Sequence, residues 1–248
     1  MRFPTAIRDT DQRLIGFDIE TDTSSGGLDP ESSSVVAAAL WNPAASAPGE
    51  RAEVFVGDET DILRGIDERI GSLGPAVLVT WNGARFDLPF VAHRARRLGL
   101  ELGLCTTQDQ ATAGVGGRDQ PPLRARWHSM VHLDGYRLYR ADVGRTLGLS
   151  CGLKSLARLT GTPAIELDRS RLHRCSEAEI REYVASDARV AVELVARRMP
   201  VALRAADWGA PCRNRELAPT TPMVGRSTPR PRETDPMPTM SASGGSGS

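Results

Sequence analysis

A chain of 248 residues, 40% hydrophobic and 25% charged, can bury a sizeable core as one large domain or two small ones. Its 31 Lys and Arg balance 31 Asp and Glu, which excludes a strongly basic coat that would hold nucleic acid by bulk charge. No apolar run approaches the roughly 20 residues of a membrane span, and Met1 to Gln12 lacks the apolar core of a signal peptide.

Cys105, Cys151, Cys175 and Cys212 are widely scattered and form no C-x-x-C pair. That spacing points to neither a zinc site nor a disulfide framework and fits a reduced, cytoplasmic setting. Charge is unevenly spread. Residues 1–80 hold 6 Arg against 14 acids, while the rest of the chain is net positive. An acidic site beside a basic surface is compatible with that asymmetry. Lys154 is the only lysine. The preference for Arg suits phosphate contacts, but a genome-wide codon bias explains it as well.

In chain order, Arg13-Leu14-Ile15-Gly16 opens a strand that continues through Phe17-Asp18-Ile19-Glu20-Thr21. Strand side chains alternate faces, so Asp18 and Glu20 leave on one side and Phe17 and Ile19 point into a core on the other. Residues 22–30 are turn-rich. Ser34 to Trp41 and Ala52 to Val56 are short apolar runs, so residues 13–56 read as a three-stranded meander. From Asp58, Ile62, Ile66 and Ile70 recur at helical spacing until Gly71 and Gly74 close the element. Ala76 to Trp81 is a buried strand bounded by Gly74-Pro75 and Asn82-Gly83.

Asp87-Leu88-Pro89 opens the next helix, with Asp87 as its cap, Pro89 in the first turn and Gly99 after the end. Residues 106–126, rich in Gly, Gln, Thr and Pro, read as an exposed loop, and Arg126 to Leu133 as a fifth strand. Gly152 to Leu159 is one of several short helical pieces. Ser176-Glu177-Ala178-Glu179 has capping-box form, and Ile180, Val184, Ala191, Leu194 and Val195 make a helical stripe ending before Pro200. From about Arg213 large apolar residues nearly vanish, so 213–248 is expected to be a disordered tail, its last residues linker-like. No internal repeat is present. The element order fits one α/β sheet with helices packed on it, a single domain over 1–212.

Two acids on one face of a buried strand repel and resist desolvation, and a divalent metal is the natural compensation. Asp-x-Glu alone is weak, since such pairs are common on solvated strand edges. Asp87 alone reads equally as a helix cap. Tyr183 precedes Asp187 by four residues on one helix face, a commonplace spacing.

Together, Asp18-x-Glu20, then Asn82-x-x-x-Phe86-Asp87, then Tyr183-x-x-x-Asp187 resemble the DEDD superfamily of 3′–5′ exonucleases. Tyr183 indicates its DEDDy branch, because the DEDDh branch wants histidine at position 182, where this chain has Glu. The likeness is strongest to proofreading exonuclease domains of family B DNA polymerases and their stand-alone relatives. It extends to Leu28-Asp29-Pro30 and spans about residues 13–198.

The resemblance implies an RNase H-like α/β fold, a five-stranded mixed sheet with helices on both faces. It implies two divalent ions, Mg²⁺ or Mn²⁺, about 3.5–4 Å apart, activating a water and stabilising the leaving oxygen. Asp18 would bridge both ions, Glu20 and Asp187 would hold the one that activates water, and Asp87 would help fix the other through water. Tyr183, with an ordinary pKa near ~10, would orient the attacking water. Thr21, Asn82 and Phe86 would shape the groove for the terminal nucleotides, though Phe86 reads equally as a core aromatic. The implied partner is single-stranded nucleic acid, DNA favoured over RNA, with no membrane.

Other signals carry less. His128 and His132 share a face of the expected fifth strand, without helical metal-site geometry. Asp134 ends that strand and makes a turn with Gly135. Arg94, Arg96 and Arg97 read as a solvated helix face before phosphate contacts, and Gly114-Val115-Gly116-Gly117 lacks the Lys-Ser/Thr of a nucleotide loop. An exoribonuclease of the same branch is the rival enzyme. A catalytically silent nucleic-acid-binding scaffold is the rival of another class.

Overall fold

The first strand, β1 (Leu14–Thr21), is buried along its whole length. It is an interior strand of the sheet, and both of its faces are covered. The computed structural model describes residues 13–24, 28–108 and 123–207. Ile15, Phe17 and Ile19 face one core, and Gly16, Asp18 and Glu20 alternate to the other side. β1 pairs antiparallel with β2 (Val35–Trp41), and β2 with β3 (Ala52–Val56), so the expected meander is present. The β1–β2 register shifts between Glu20 and Thr21, a bulge of the kind that re-aims side chains at a strand end.

Helix α1 (Glu59–Leu73) starts at Asp58, whose carboxylate accepts from the Thr60 N–H at 2.8 Å. It buries Ile62, Leu63, Ile66 and Ile70 against the Phe17 face. β4 (Val77–Thr80) then lies parallel to β1. Helix α2 (Asp87–Arg97) follows, with Leu88, Phe90 and Val91 in the same core as α1. Asp87 does not cap it. Phe86 holds the cap position without a side-chain hydrogen bond, and Asp87 is the first helical residue.

The expected loop over 106–126 is in part a hairpin, β5 (Leu104–Gln108) and β6 (Leu123–Trp127), while 109–122 lie outside the described residues. These strands are half-buried. Leu104 and Ala125 pack on the core, while Cys105, Thr107, Arg124 and Arg126 face out. A polar alternating pattern at a sheet edge resembles loop composition, which is why it escaped notice. The expected strand from Arg126 to Leu133 is likewise two strands. β6 ends at Trp127, and β7 (Met130–Asp134) begins after a tight turn in which His128 takes φ 49°.

His128 and His132 therefore share no strand face. His128 meets Asp67 at 3.1 Å, and Asp67 also accepts from Trp127 Nε1 and the Gly103 N–H.

The remainder is helical: α3 (Gly135–Tyr139), a π turn (Arg140–Gly144), α4 (Arg145–Leu147), α5 (Leu153–Thr160), a 3-10 turn (Arg169–Arg174) and α6 (Glu177–Asp207). The capping box opens α6 as expected: Glu179 accepts from the Ser176 N–H at 2.7 Å, and Ser176 Oγ accepts from the Glu179 N–H at 3.3 Å. α6 does not stop before Pro200 but runs through it to Asp207.

The sheet has seven strands, not five, in the order β3-β2-β1-β4-β7-β6-β5. It is mixed: β1–β4 and β4–β7 are parallel and the other pairs antiparallel. α1 and α2 cover one face; α3, α5 and α6 cover the other. The α/β class with helices on both faces is as expected. The tail from 213 lies outside the described residues. Among the described residues no helix is long and apolar enough to cross a membrane.

His132 on β7 is half-buried, and loss of solvation together with Arg137 nearby pushes its pKa down to about 3. The unfolded chain takes up this proton near the ordinary 6.5. Stability attributable to this group is thus complete above about pH 6.5 and falls as pH drops toward 3, by up to about 1.4 kcal/mol per unit. A His132→Gln variant, which cannot titrate, should show a flatter decline of its urea midpoint between pH 7 and 4.5. Parallel declines in parent and variant would contradict this assignment.

Candidate metal centre

Two acids of β1 meet one of α6. Asp18, Glu20 and Asp187 are all buried, and each places a carboxylate oxygen within 4.8 Å of those of the other two. This is the only group of its kind among the described residues. It forms because β1 directs Asp18 and Glu20 toward α6 and because α6 comes unusually close. Gly16 allows that approach: a Cβ there would collide with the Ala188 carbonyl and stand 2.8 Å from Val192 Cγ2. Ala188 adjoins Asp187, so this close strand–helix contact lies one residue from the acid.

Tyr183, one turn earlier on α6, is buried beside this group. Lys154 Nζ, reaching in from α5, meets Asp187 Oδ1 and stands 4.5 Å above the Tyr183 ring. The sole lysine of the chain thus lies at the acidic cluster. Its positive charge offsets part of the repulsion among three buried carboxylates. Lys154 had no role in the sequence reading. The available signal was a single lysine in an otherwise all-arginine set of cations, which codon bias for Arg does not explain.

Asp87 is buried at the N-terminus of α2 and stands outside the group of three. Its Oδ2 lies against Gly83, where an added Cβ would approach to 2.9 Å. Asn82, between β4 and α2, takes φ 68°, a left-handed conformation that Asn tolerates better than most residues. Asp134 is buried and receives N–H groups from Asn82 at 2.9 Å and Ala84 at 3.3 Å, besides capping α3 through Tyr136 at 3.0 Å. Burial raises its pKa, and the backbone donors and Arg137 oppose that rise. It is thus more than a turn former with Gly135.

Thr21 is buried at the end of β1, past the bulge. Phe86 is half-buried, packing on Phe90 at 5.4 Å between ring centres, so part of its core reading holds. The arginines of α2 divide. Arg94 is buried in a bidentate pair with Glu59, at 2.8 and 2.6 Å, with its pKa raised by that carboxylate. Arg97 pairs with Glu31 at 2.8 Å. Arg94 is therefore a structural ion pair rather than part of a solvated face.

The donor set fits a hard divalent cation. Three carboxylates on two elements offer clustered oxygen donors, with neither thiolate nor imidazole among them. Among the described residues Cys105, Cys151 and Cys175 form no disulfide, consistent with their scatter in sequence.

Residues 45–156 match the family described as DNA polymerase family B, exonuclease domain. That match contains Asn82, Phe86, Asp87 and Lys154, and the acids of β1 and α6 flank it. DNA polymerase 2 of Aeropyrum pernix is 32% identical over 107 residues, 42% of this chain and 13% of that protein. The structure of the family B DNA polymerase from the hyperthermophilic archaeon Pyrobaculum calidifontis superposes with a TM-score of 0.62 at 21% identity. It covers 83% of this chain and 26% of the polymerase. The chain spans only a minor part of the length of these relatives. Sequence over residues 45–156 and fold over most of the chain agree on one likeness: this is a domain similar to the exonuclease domain of family B DNA polymerases.

Proposed function

We propose that this chain is a metal-dependent 3′–5′ exonuclease that removes nucleotides from the 3′ end of single-stranded DNA. The observation that carries the reading is the buried triad Asp18, Glu20 and Asp187, assembled from the first strand and the last helix at the Gly16 contact. A buried concentration of negative charge is costly to the fold and is useful when it holds dications.

Bound Mg²⁺ or Mn²⁺, two ions in the full reading, would make a water nucleophilic at neutral pH and take up charge on the leaving oxygen. Asp18, Glu20 and Asp187 would hold the ions, Asp18 serving both and Glu20 and Asp187 the one beside the attacking water, with Asp87 helping to fix the other through water. Tyr183 would accept a hydrogen bond from that water and aim it at phosphorus. Lys154, already against Asp187 and Tyr183, provides a fixed positive charge at the edge of the phosphodiester. Thr21, Asn82 and Phe86 line the path of the terminal nucleotides.

Tyr183→Phe keeps the ring and removes the hydroxyl. It should lower kcat on the order of 10²-fold, the scale of a positioned proton-handling group, with KM nearly unchanged. Unchanged turnover would remove the role assigned to Tyr183.

The reading is tested with single-stranded DNA and RNA labelled at either end, incubated with Mg²⁺, Mn²⁺ or chelator. Stepwise shortening from the 3′ end, faster on DNA and stopped by chelator, is expected. Preference for RNA would turn the reading to an exoribonuclease. Nucleic-acid binding without hydrolysis in any metal would favour the silent scaffold.

A further inference from the structure

β4 and β7 are parallel neighbours, and their final residues, Thr80 and Asp134, are register partners. Beyond the C-terminal ends of parallel strands lies the usual place for a ligand site in an α/β sheet. From there the chain must turn sharply out of β4 into α2, and it does so through left-handed Asn82.

Every N–H of that turn from Asn82 to Ala84 is taken by one of these two side chains. Asp134 Oδ1 accepts from Asn82, Asp134 Oδ2 accepts from Ala84, and Thr80 Oγ1 accepts from Gly83 at 3.1 Å. Thr80 is held in turn by His132, whose Nε2 lies 2.8 Å from the hydroxyl. A half-buried neutral imidazole can accept there, so the Thr80 hydroxyl donates to His132 and leaves a lone pair for Gly83.

The turn carries its geometry forward. The Phe86 N–H bonds the Asn82 carbonyl at 3.2 Å, and the Leu88 N–H bonds the Gly83 carbonyl at 3.0 Å. Gly83 has Thr80 on one side and the Asp87 carboxylate on the other, so closely that no side chain fits between. Holding Gly83 therefore holds Asp87.

A cap for a five-residue helix does not require a buried carboxylate, since Ser, Thr or Asn caps as well. Asp134 is 5% exposed, and its second oxygen serves a different element from the helix it caps. That division of labour accounts for an acid where a neutral residue would cost less to bury.

We infer that Asp134, backed by Thr80 and His132, is a positioning residue for catalysis: its carboxylate clamps the Asn82–Ala84 turn and so sets where Asp87 and Asn82 face the substrate. The inference rests on the proposed exonuclease reading and adds to it a residue that would touch neither metal nor nucleotide.

Two variants separate clamp from cap. Asp134→Ser retains a cap for the Tyr136 N–H but is too short to reach both Asn82 and Ala84. Asp134→Asn retains one oxygen for Asn82 and Tyr136 and loses the bond to Ala84. With labelled single-stranded DNA, Asp134→Ser should lose on the order of 10–100-fold in kcat per folded molecule, as outer-shell partners of metal sites do. KM should change little, and the Mn²⁺ concentration for half-maximal rate should rise. Asp134→Asn should recover most of the loss.

Amide hydrogen exchange gives the second readout and needs no activity. In Asp134→Ser the amides of Asn82 and Ala84 should exchange faster while those of Val77–Thr80 and Tyr136 stay protected. In Asp134→Asn, of these amides, Ala84 alone should change. Parent-like turnover per folded molecule in Asp134→Ser, or parent-like exchange at Asn82 and Ala84, overturns the inference. If Asp134→Ser does not fold, the Asp134→Asn pattern decides it by the same criterion at Ala84. An inert parent chain would instead defeat the exonuclease reading, and exchange would still show whether the clamp exists.

Discussion

Asp18→Ala is expected to lose metal-dependent hydrolysis by a factor on the order of 10³ or more, because charge stabilisation by a bound dication is worth several kcal/mol of barrier. The fold should not suffer. Asp18 is 7% exposed and stands with two other acids, so its removal relieves repulsion and desolvation together. The variant should therefore melt no lower than the parent in metal-free buffer, and it should lose much of the rise in melting temperature that Mn²⁺ gives the parent. Full hydrolysis by an Asp18→Ala preparation free of contaminating nuclease would sink the proposed mechanism. A steep fall in melting temperature would show that the acid is structural.

Gly16→Ala should damage both stability and activity, though it adds only one methyl group and removes no ligand of the cluster. In a strand, Ala is ordinarily favoured over Gly by about 0.5–1 kcal/mol through backbone entropy. Here the added Cβ meets the Ala188 carbonyl and Val192, and overpacking of a tight core costs about 1–3 kcal/mol or more. The clash outweighs the gain, since a backbone carbonyl cannot rotate aside as a side chain can. The strain should be relieved by α6 moving off β1, which carries Asp187 away from Asp18 and Glu20. Circular dichroism melting and the labelled-DNA assay measure the two effects. A variant as stable and as active as the parent would show that the close approach is incidental.

Much of this was legible in sequence, for identifiable reasons. Strand alternation placed Asp18 and Glu20 on one face, helical periodicity found α1, and the Ser176–Glu179 box marked the start of α6, because each signal is local and repeated. The triad became plausible only when separate motifs were read together.

What escaped the reading was tertiary. β5 and β6 have half their faces in solvent, so composition hid them. Asp87 looked like a cap, but the turn before α2 is held by Asp134 and Thr80 instead, from strands already passed or still to come. Lys154 reaches Asp187 from another helix, and no spacing in sequence announces such a pairing. Pro200 would stop an isolated helix, yet α6 continues past it. The α6 residues Val195 and Met199, buried in the core, hold the helix against the sheet as it nears the proline.

The distance along the chain between β1 and α6 also bears on synthesis. Asp18 and Glu20 leave the ribosome first, while Asp187 emerges only after the other six strands and five of the helices. A nascent chain with α6 still in the exit tunnel has two acids of the cluster and lacks the third, together with the tyrosine beside it. Since domains fold as units once their last packing partner is available, the three-acid cluster closes only after α6 has emerged and docked on β1. A site assembled from the two ends of the fold in this way is among the last features of the domain to form.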